Sequence, residues 1–199
     1  MTSLGPGSRA WVALACAMAV GAILCWPLPP EWLQRLRWDP VYAWTQPWRW
    51  WTAAFVHLSP RHLVGNLAGA FVVGALGHAA RVPLRCTLAW LCAWPLTHIA
   101  LRLQPDLLFY GGLSGVLHAG AAIVACRLAL EDPRRERLIG LAVLAGLAVK
   151  IAIEGPVGSA VRKMPDWDIP IVPLAHAAGF VAGVLCALAS ALPAGRPTR

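Results

Sequence analysis

Charged side chains are scarce in this sequence. Only 13% of its 199 residues are Asp, Glu, Lys or Arg, and just nine of them are acidic. A typical soluble domain carries about 25% charged residues, so these few cannot coat the surface of a water-soluble fold. Apolar residues make up 58%, which excludes intrinsic disorder because disordered chains are poor in them. The composition therefore indicates a membrane protein that crosses the bilayer several times.

Motifs for thiol chemistry and nucleic-acid binding are also missing. None of the six cysteines belongs to a CxxC pair, so neither a zinc ribbon nor a redox motif is supported. The net charge of +8 is carried in short turns between apolar runs, as is typical of charges that flank membrane spans. A nucleic-acid binder would gather its charges on one face. The expected partner is the lipid bilayer, and no nucleic acid is expected.

Six apolar segments come close to the roughly 20 residues that a helix needs to cross a bilayer core. We predict spans at 11–27, 62–80, 83–101, 112–130, 138–161 and 171–192. The fifth is the weakest because Lys150 and Glu154 interrupt it. These two lie four residues apart and can neutralise each other on a helix. The prediction is an all-α membrane protein with six transmembrane helices in a single domain over residues 1–199.

The connections between the spans indicate an orientation. The loop at 28–61 contains six of the eleven tryptophans, a residue type that is enriched at membrane interfaces. Two short turns carry five arginines, at positions 81, 85, 134, 135 and 137. Since basic short loops face the cytoplasm, we expect both termini in the cytoplasm and the tryptophan-rich loop outside.

A polar residue inside a span is costly, so each one is a functional hypothesis. Ser114 opens the fourth span, flanked by Gly112 and Gly115. Glycine allows another backbone or a substrate to approach closely, and the unpaired N–H groups of a helix start favour a developing negative charge. The same pattern also suits a serine N-cap with packing glycines.

His176 lies near the outer end of the sixth span, followed by Gly179 and Gly183. A histidine can act as a general base near neutral pH, and glycines four residues apart allow a neighbouring helix to pack closely. Its ring could equally be a buried group bonded to a backbone carbonyl.

Three further polar residues also lie near the outer ends of their spans. His62 and Asn66 lie four residues apart on one face of the second span, where their N–H groups could hold an oxyanion or simply bond a neighbouring helix. His118 lies one turn beyond Ser114 and could contact His176. Together these spans would supply the nucleophile, base and oxyanion donors of acyl transfer.

At this point the sequence resembles the rhomboid family of intramembrane serine proteases. The resemblance covers about residues 45–192 and runs in order through Trp48, Arg49, His57, His62, Asn66, the Gly112–Gly115 segment, His176 and Gly179. It implies a six-helix bundle and a Ser–His dyad, without metal or cofactor.

The resemblance also assigns roles by position. Ser114 would be the nucleophile and His176 the base. The oxyanion would be held by His62, Asn66 and the Ser114 backbone N–H. Trp48 and Arg49 would order the first loop. No aspartate is placed to orient the base, so a dyad is the simpler expectation.

One difference from the usual rhomboid motif points to a subgroup of the family. Many rhomboids have tyrosine four residues after the serine, whereas this chain has His118. The compact length and the Gly-Leu-Ser-Gly-x-Leu-His motif are similar to the bacterial rhombosortase subgroup. That subgroup implies membrane-anchored substrates with a C-terminal Gly-Gly tail signal, and an inner-membrane enzyme whose active site opens to the periplasm. The resemblance to rhomboids also implies that substrates enter between the second and fifth spans, and we expect a loop at 165–170 above the site.

Two alternatives stay open on the sequence alone. One is a catalytically inactive rhomboid-like protein that binds transmembrane helices. The other is a membrane protein that binds metal or haem through His57, His62, His118 and His176, because imidazole suits several transition metals.

Overall fold

The computed structural model describes residues 5–131, 133–165 and 167–191. Within those ranges the chain is mainly helical and contains no strands, only the isolated bridges Trp38–Tyr110 and Arg162–Ile171. The long helices are α1 (Pro6–Cys25), α4 (Pro60–Ala79), α5 (Leu84–Ile99), α6 (Ser114–Glu131), α7 (Arg134–Glu154) and α8 (Pro173–Ala191). Two short helices, α2 (Pro30–Leu36) and α3 (Arg49–Thr52), lie in the tryptophan-rich loop. Short 3₁₀ turns follow α3 and α5, at Ala53–Phe55 and Ala100–Leu103.

Four of these helices, α1, α4, α6 and α8, are long and apolar enough to cross a membrane. This confirms the predicted all-α membrane protein in its general form. The other two long helices fall outside that set, since α5 has only 16 residues and α7 carries charged residues near both ends.

Proline sets where the long helices begin. Pro6, Pro60 and Pro173 are first residues of α1, α4 and α8, and Pro83 and Pro133 immediately precede α5 and α7. The N–H groups of the first helical turn have no partner within the helix, so proline loses no hydrogen bond there by lacking an N–H, and its fixed φ suits a helix. The helices therefore start within a few residues of the predicted spans.

The C-terminus of α7 differs from the prediction. The helix ends at Glu154, seven residues before the expected end at 161, because Gly155 adopts the left-handed conformation with φ of 67°. A glycine in this conformation is a common helix stop. The remaining residues form a loop over one end of the bundle. The last residue of the predicted sixth span, 192, lies outside the described residues.

Helix α6 forms the centre of the bundle. Twelve of its 18 residues are buried, nearly all of them small or β-branched, and it packs against α4, α5, α7 and α8. Helix α1 packs on α4 and α5, where the Trp11 ring stacks on Trp90 with centroids 4.3 Å apart. A Cβ at Gly77 of α4 would collide with the Trp11 indole.

The tryptophan-rich loop is tied to the segment before α6. Trp38 and Tyr110 exchange two backbone hydrogen bonds of 2.9 and 3.0 Å. Trp32 and Trp44 are more than half exposed, as expected for aromatic side chains at a membrane interface. The loop therefore braces the end of the bundle at which α6 starts.

Candidate active site

The turn before α6 determines where Ser114 lies. Gly112 has φ of +144°, a conformation that only glycine adopts readily. Its N–H donates to the Ala53 carbonyl at 2.9 Å, and the Tyr110 hydroxyl donates to its carbonyl at 3.0 Å. Burial raises the pKa of the Tyr110 phenol, so this donor stays neutral. The turn is thus held on both sides, and Ser114 becomes the first residue of the helix.

Glycines bring α6 and α8 together. A Cβ at Gly179 would collide with the Gly115 carbonyl, and one at Gly183 would collide with the Ala119 carbonyl. A Cβ at Gly115 would lie 2.7 Å from the Ala175 carbonyl oxygen. The two backbones are therefore in direct contact over two helical turns, and a side chain on one helix can reach the other at short range.

Ser114 and His176 meet across this contact. The Ser114 Oγ lies 2.9 Å from the His176 Nε2, and His176 is only 7% exposed. Both side chains line a cavity of about 610 Å³ that opens between the helix ends. A hydroxyl and an imidazole in this geometry can exchange a proton.

Two charged residues of α7 lie next to the Ser114–His176 pair. The His176 Nδ1 lies 2.6 Å from the Glu154 Oε2, and the Lys150 Nζ donates to the Glu154 Oε1 at 2.6 Å. The expected pairing of Lys150 with Glu154 is present. The contact of Glu154 with His176 was missed, because the expectation of a dyad considered only aspartate as a partner. The signal was an acidic residue inside an otherwise apolar span.

His118 packs against the face of the His176 imidazole. Its Nδ1–H donates to the Ser114 carbonyl at 2.7 Å, and its ring stacks on that of His176 with centroids 4.4 Å apart and planes 16° apart. The expected contact between the two histidines is therefore a stack and not a hydrogen bond.

His62 and Asn66 line the same cavity from α4. The Leu58 N–H donates to the His62 Nδ1 at 3.4 Å, so a neutral ring carries its proton on Nε2, the atom that a Cβ at Gly112 would approach to 2.9 Å. The Asn66 Nδ2 is buried and has no hydrogen-bond partner among the described residues. Since buried N–H groups normally have a partner, this amide is a donor available to a bound group.

His57 lies behind His62 and does not line the cavity. Its ring is 4.9 Å from that of His62, and its Nδ1–H donates to the Phe55 carbonyl at 3.1 Å. Burial lowers the pKa of His57, which keeps the ring neutral at neutral pH. It therefore supports the His62 ring without adding charge.

Arg49 and Trp48 lie in the first loop, away from the cavity. The Arg49 Nη1 donates to the carbonyls of Gln34 and Arg37, both at 2.7 Å. Trp48 is 49% exposed, and its indole N–H donates to the Arg35 carbonyl at 3.4 Å. The guanidinium thus links α3 to the end of α2.

The loop after α7 covers the cavity. Its lining includes Pro165, Trp167, Ile169 and Pro170, within the loop predicted at 165–170, whose residue Asp166 lies outside the described residues. The Trp167 ring rests on the α4 backbone, where a Cβ at Gly65 would approach it to 2.8 Å. Helix α7 packs on α6 and α8 and shares no substantial interface with α4.

Histidines do not gather into a metal centre here. In the ranges 5–131, 133–165 and 167–191, no three His, Cys, Asp or Glu side chains form a group that could hold a metal ion. The rings of His118 and His176 instead stack on each other and contact Ser114, whereas the His62 ring contacts His57 and the Leu58 N–H.

The family model described as Rhomboid domain matches residues 45–192, well over half of the chain. No curated protein matches the sequence significantly.

Substituting Gly179→Ala tests the glycine contact. The added methyl collides with the Gly115 carbonyl, so α8 must shift away from α6 and the Ser114–His176 distance must increase. A displacement of about 1 Å in such a pair costs about 10²-fold in rate. We therefore expect labelling of Ser114 by a fluorophosphonate to slow by about that factor. Gly146→Ala is the control, because a Cβ there meets nothing within 4 Å. Equal labelling of the two variants would contradict this reading of the contact.

Proposed function

Because the chain belongs to the rhomboid family, we propose that it is an intramembrane serine endopeptidase that cleaves membrane-anchored proteins in or near their transmembrane segments. The observation that carries the proposal is the 2.9 Å contact of the Ser114 hydroxyl with the His176 imidazole inside a cavity large enough for an extended peptide. Rhomboids in general are serine proteases.

In this proposal His176 moves the proton and Ser114 forms the covalent bond. The His176 Nε2 takes the hydroxyl proton while the Ser114 Oγ attacks the carbonyl carbon of the scissile bond. The tetrahedral intermediate then collapses, and the same proton passes to the leaving amide nitrogen. Water, activated by the imidazole, next hydrolyses the acyl ester and restores the serine.

The oxyanion of the tetrahedral intermediate would lie against α4 and the start of α6. The Asn66 amide is supported as a donor by its buried, unpaired Nδ2. His62 would contribute its Nε2–H, since its Nδ1 already accepts from Leu58. The Ser114 backbone N–H and the positive end of the α6 dipole would complete the site.

We further propose that the chain forms one rhomboid domain with six spans, in which α5 and α7 also cross the membrane. All site residues on α4, α6, α7 and α8 lie at one end of the bundle. The arginine-rich turns lie at the other end, where Arg85 pairs with Glu131. The positive-inside rule then places that end and both termini in the cytoplasm, and the cavity on the periplasmic side of a bacterial inner membrane.

Substrate would reach the cavity between α4 and α7. This route is supported by the lack of a substantial interface between these helices and by the large exposed fraction of α7. On the α4 side of this route, the Trp167 ring packs on Gly65 and makes a cation–π contact of 5.5 Å with Arg61. A transmembrane segment must unwind locally before its peptide bond can enter such a site.

At the finer level we propose that the enzyme is a rhombosortase acting on C-terminal Gly-Gly tail signals. The proposal is supported by His118, which stacks on His176 at the position that tyrosine takes in many rhomboids. A Gly-Gly pair also suits a site that must unwind a helix, because glycine has low helix propensity.

Ser114→Ala and His176→Ala test the core of the proposal. Both should abolish fluorophosphonate labelling and proteolysis, because each removes one half of the proton transfer. Ser190→Ala and His78→Ala are matched controls, since the Ser190 hydroxyl donates to the Ala187 carbonyl within α8 and His78 is exposed on α4. Labelling that survives Ser114→Ala would overturn the protease assignment.

A wild-type protein that neither labels nor cleaves, yet captures transmembrane helices, would identify an inactive binding protein instead. Loss of function on treatment with a chelator, without any effect of Ser114→Ala, would identify a metal protein.

Asn66→Ala tests the oxyanion site. Loss of one oxyanion donor typically lowers kcat by about 10²- to 10³-fold, and we expect that decrease with little change in KM. The Asn66 Nδ2 makes no hydrogen bond to any residue that the structure describes, so the melting temperature in detergent should fall only slightly. A kcat within twofold of the wild-type value would remove Asn66 from the site.

Co-expression with a model substrate tests the subgroup. A membrane protein carrying a Gly-Gly tail signal should be shortened when the wild-type chain is present and remain intact with Ser114→Ala. Replacing the two glycines by leucine should prevent the shortening. If the chain cleaves other transmembrane proteins but not this one, it is a rhomboid protease of different specificity.

A further inference from the structure

Glu154 occupies an unfavourable place for a carboxylate. It is the last residue of α7, where the helix dipole presents its negative end, and it is 7% exposed. A buried charge needs a partner and hydrogen bonds to be tolerated. The contacts of this side chain should therefore explain why an acidic residue is found there.

Each carboxylate oxygen has its own partner. The Oε1 accepts from the Lys150 ammonium at 2.6 Å, one helical turn earlier on α7. The Oε2 lies 2.6 Å from the His176 Nδ1 on α8. An ion pair with Lys150 alone would satisfy only half of the carboxylate, so the remaining oxygen is committed to the imidazole.

The short contact determines the tautomer of His176. A carboxylate can only accept hydrogen bonds, so a 2.6 Å approach of Oε2 to Nδ1 requires a proton on that nitrogen. The Lys150 Nζ lies farther away, at 3.3 Å from Nδ1, and already donates to Oε1. With Nδ1 protonated, the neutral ring presents the lone pair of Nε2 to the Ser114 Oγ at 2.9 Å.

We infer that Glu154 is a positioning residue that makes the site a Ser114–His176–Glu154 triad rather than a dyad. This inference rests on the proposed protease function and deepens it. Glu154 holds the imidazole in the tautomer and orientation that accept the serine proton, and it stabilises the imidazolium that forms. The carboxylate stays ionised throughout, so the proton travels only between Ser114, His176 and the leaving nitrogen.

The end of α7 is built to place this carboxylate. Gly155 ends the helix in the left-handed conformation immediately after Glu154, and the Arg162 Nη1 donates to the Ile153 carbonyl at 2.6 Å. The Gly155 N–H and the Arg162 guanidinium thus bond carbonyls in the last turn of the helix, and the Glu154 side chain takes no part in these bonds. Lys150 balances the negative charge and fixes the carboxylate rotamer, which leaves Oε2 directed at α8.

Glu154→Gln separates this inference from a purely structural ion pair. The amide keeps the shape but can donate to Nδ1, which favours the wrong tautomer. We expect kcat to fall by about 10²- to 10⁴-fold with KM nearly unchanged, because loss of the equivalent carboxylate slows a soluble serine protease by about 10⁴-fold. The rate of fluorophosphonate labelling at Ser114 should fall in parallel. Glu154→Asp keeps the charge and should recover a substantial part of both rates.

Lys150→Gln is the matched control. It breaks the same ion pair but leaves the contact between Glu154 and His176, so its kcat should fall by less than about tenfold. If the ion pair were all that mattered, Lys150→Gln and Glu154→Gln would reduce kcat equally, and that result would overturn the inference. Normal labelling of Glu154→Gln would overturn it as well.

Two further arms keep the test decisive. If Glu154→Gln does not fold, Lys150→Met/Glu154→Gln, which removes both charges together, is compared with Lys150→Met alone. A lower kcat in the double variant supports the triad, and equal values refute it. If the wild-type protein itself shows neither labelling nor cleavage, the proposed function fails, whereas a wild type that labels as fast as Glu154→Gln refutes only the triad.

Discussion

The site depends on direct backbone contact between α6 and α8. Helices inside a bilayer gain little from burying apolar surface against each other, because lipid is equally apolar. They associate through close packing instead, and Gly115, Gly179 and Gly183 permit a distance that any larger residue would prevent. The hydrogen bond of 2.9 Å between Ser114 and His176 is a consequence of that distance. The turn at Gly112 then determines which side chain begins α6.

The polar groups of the site are tolerated because nearly every one has a partner. The His118 ring donates to the Ser114 carbonyl. The two oxygens of Glu154 contact Lys150 and His176. The Leu58 N–H donates to the Nδ1 of His62. Among the residues that line the cavity, the Asn66 amide differs, because its buried Nδ2 has no hydrogen-bond partner in the described part of the chain. An unsatisfied donor in otherwise satisfied surroundings is consistent with a bound group that supplies the missing acceptor only during the reaction.

Much of this arrangement could be predicted from the sequence. Apolar runs of about 20 residues indicated the long helices, and glycines around Ser114 and after His176 indicated where two of them approach. The charged pair on α7 was recognised, but its second contact was not, because i,i+4 spacing reveals neighbours on one helix and not the helix opposite. The stop at Gly155 was missed for a related reason. Apolar residues continue beyond it, and only the left-handed backbone, with φ of 67°, ends the helix there. The pairing of Trp38 with Tyr110 joins segments too far apart in the chain for any local pattern to indicate it.

An experimental structure of the protein after reaction with a fluorophosphonate would test the proposed site directly. We expect phosphorus bonded to the Ser114 Oγ, a phosphoryl oxygen within hydrogen-bond distance of the Asn66 Nδ2, and the His176 ring between Ser114 and Glu154. An adduct on another residue, or a His176 ring turned away from Ser114 with lipid or packed side chains between them, would contradict it.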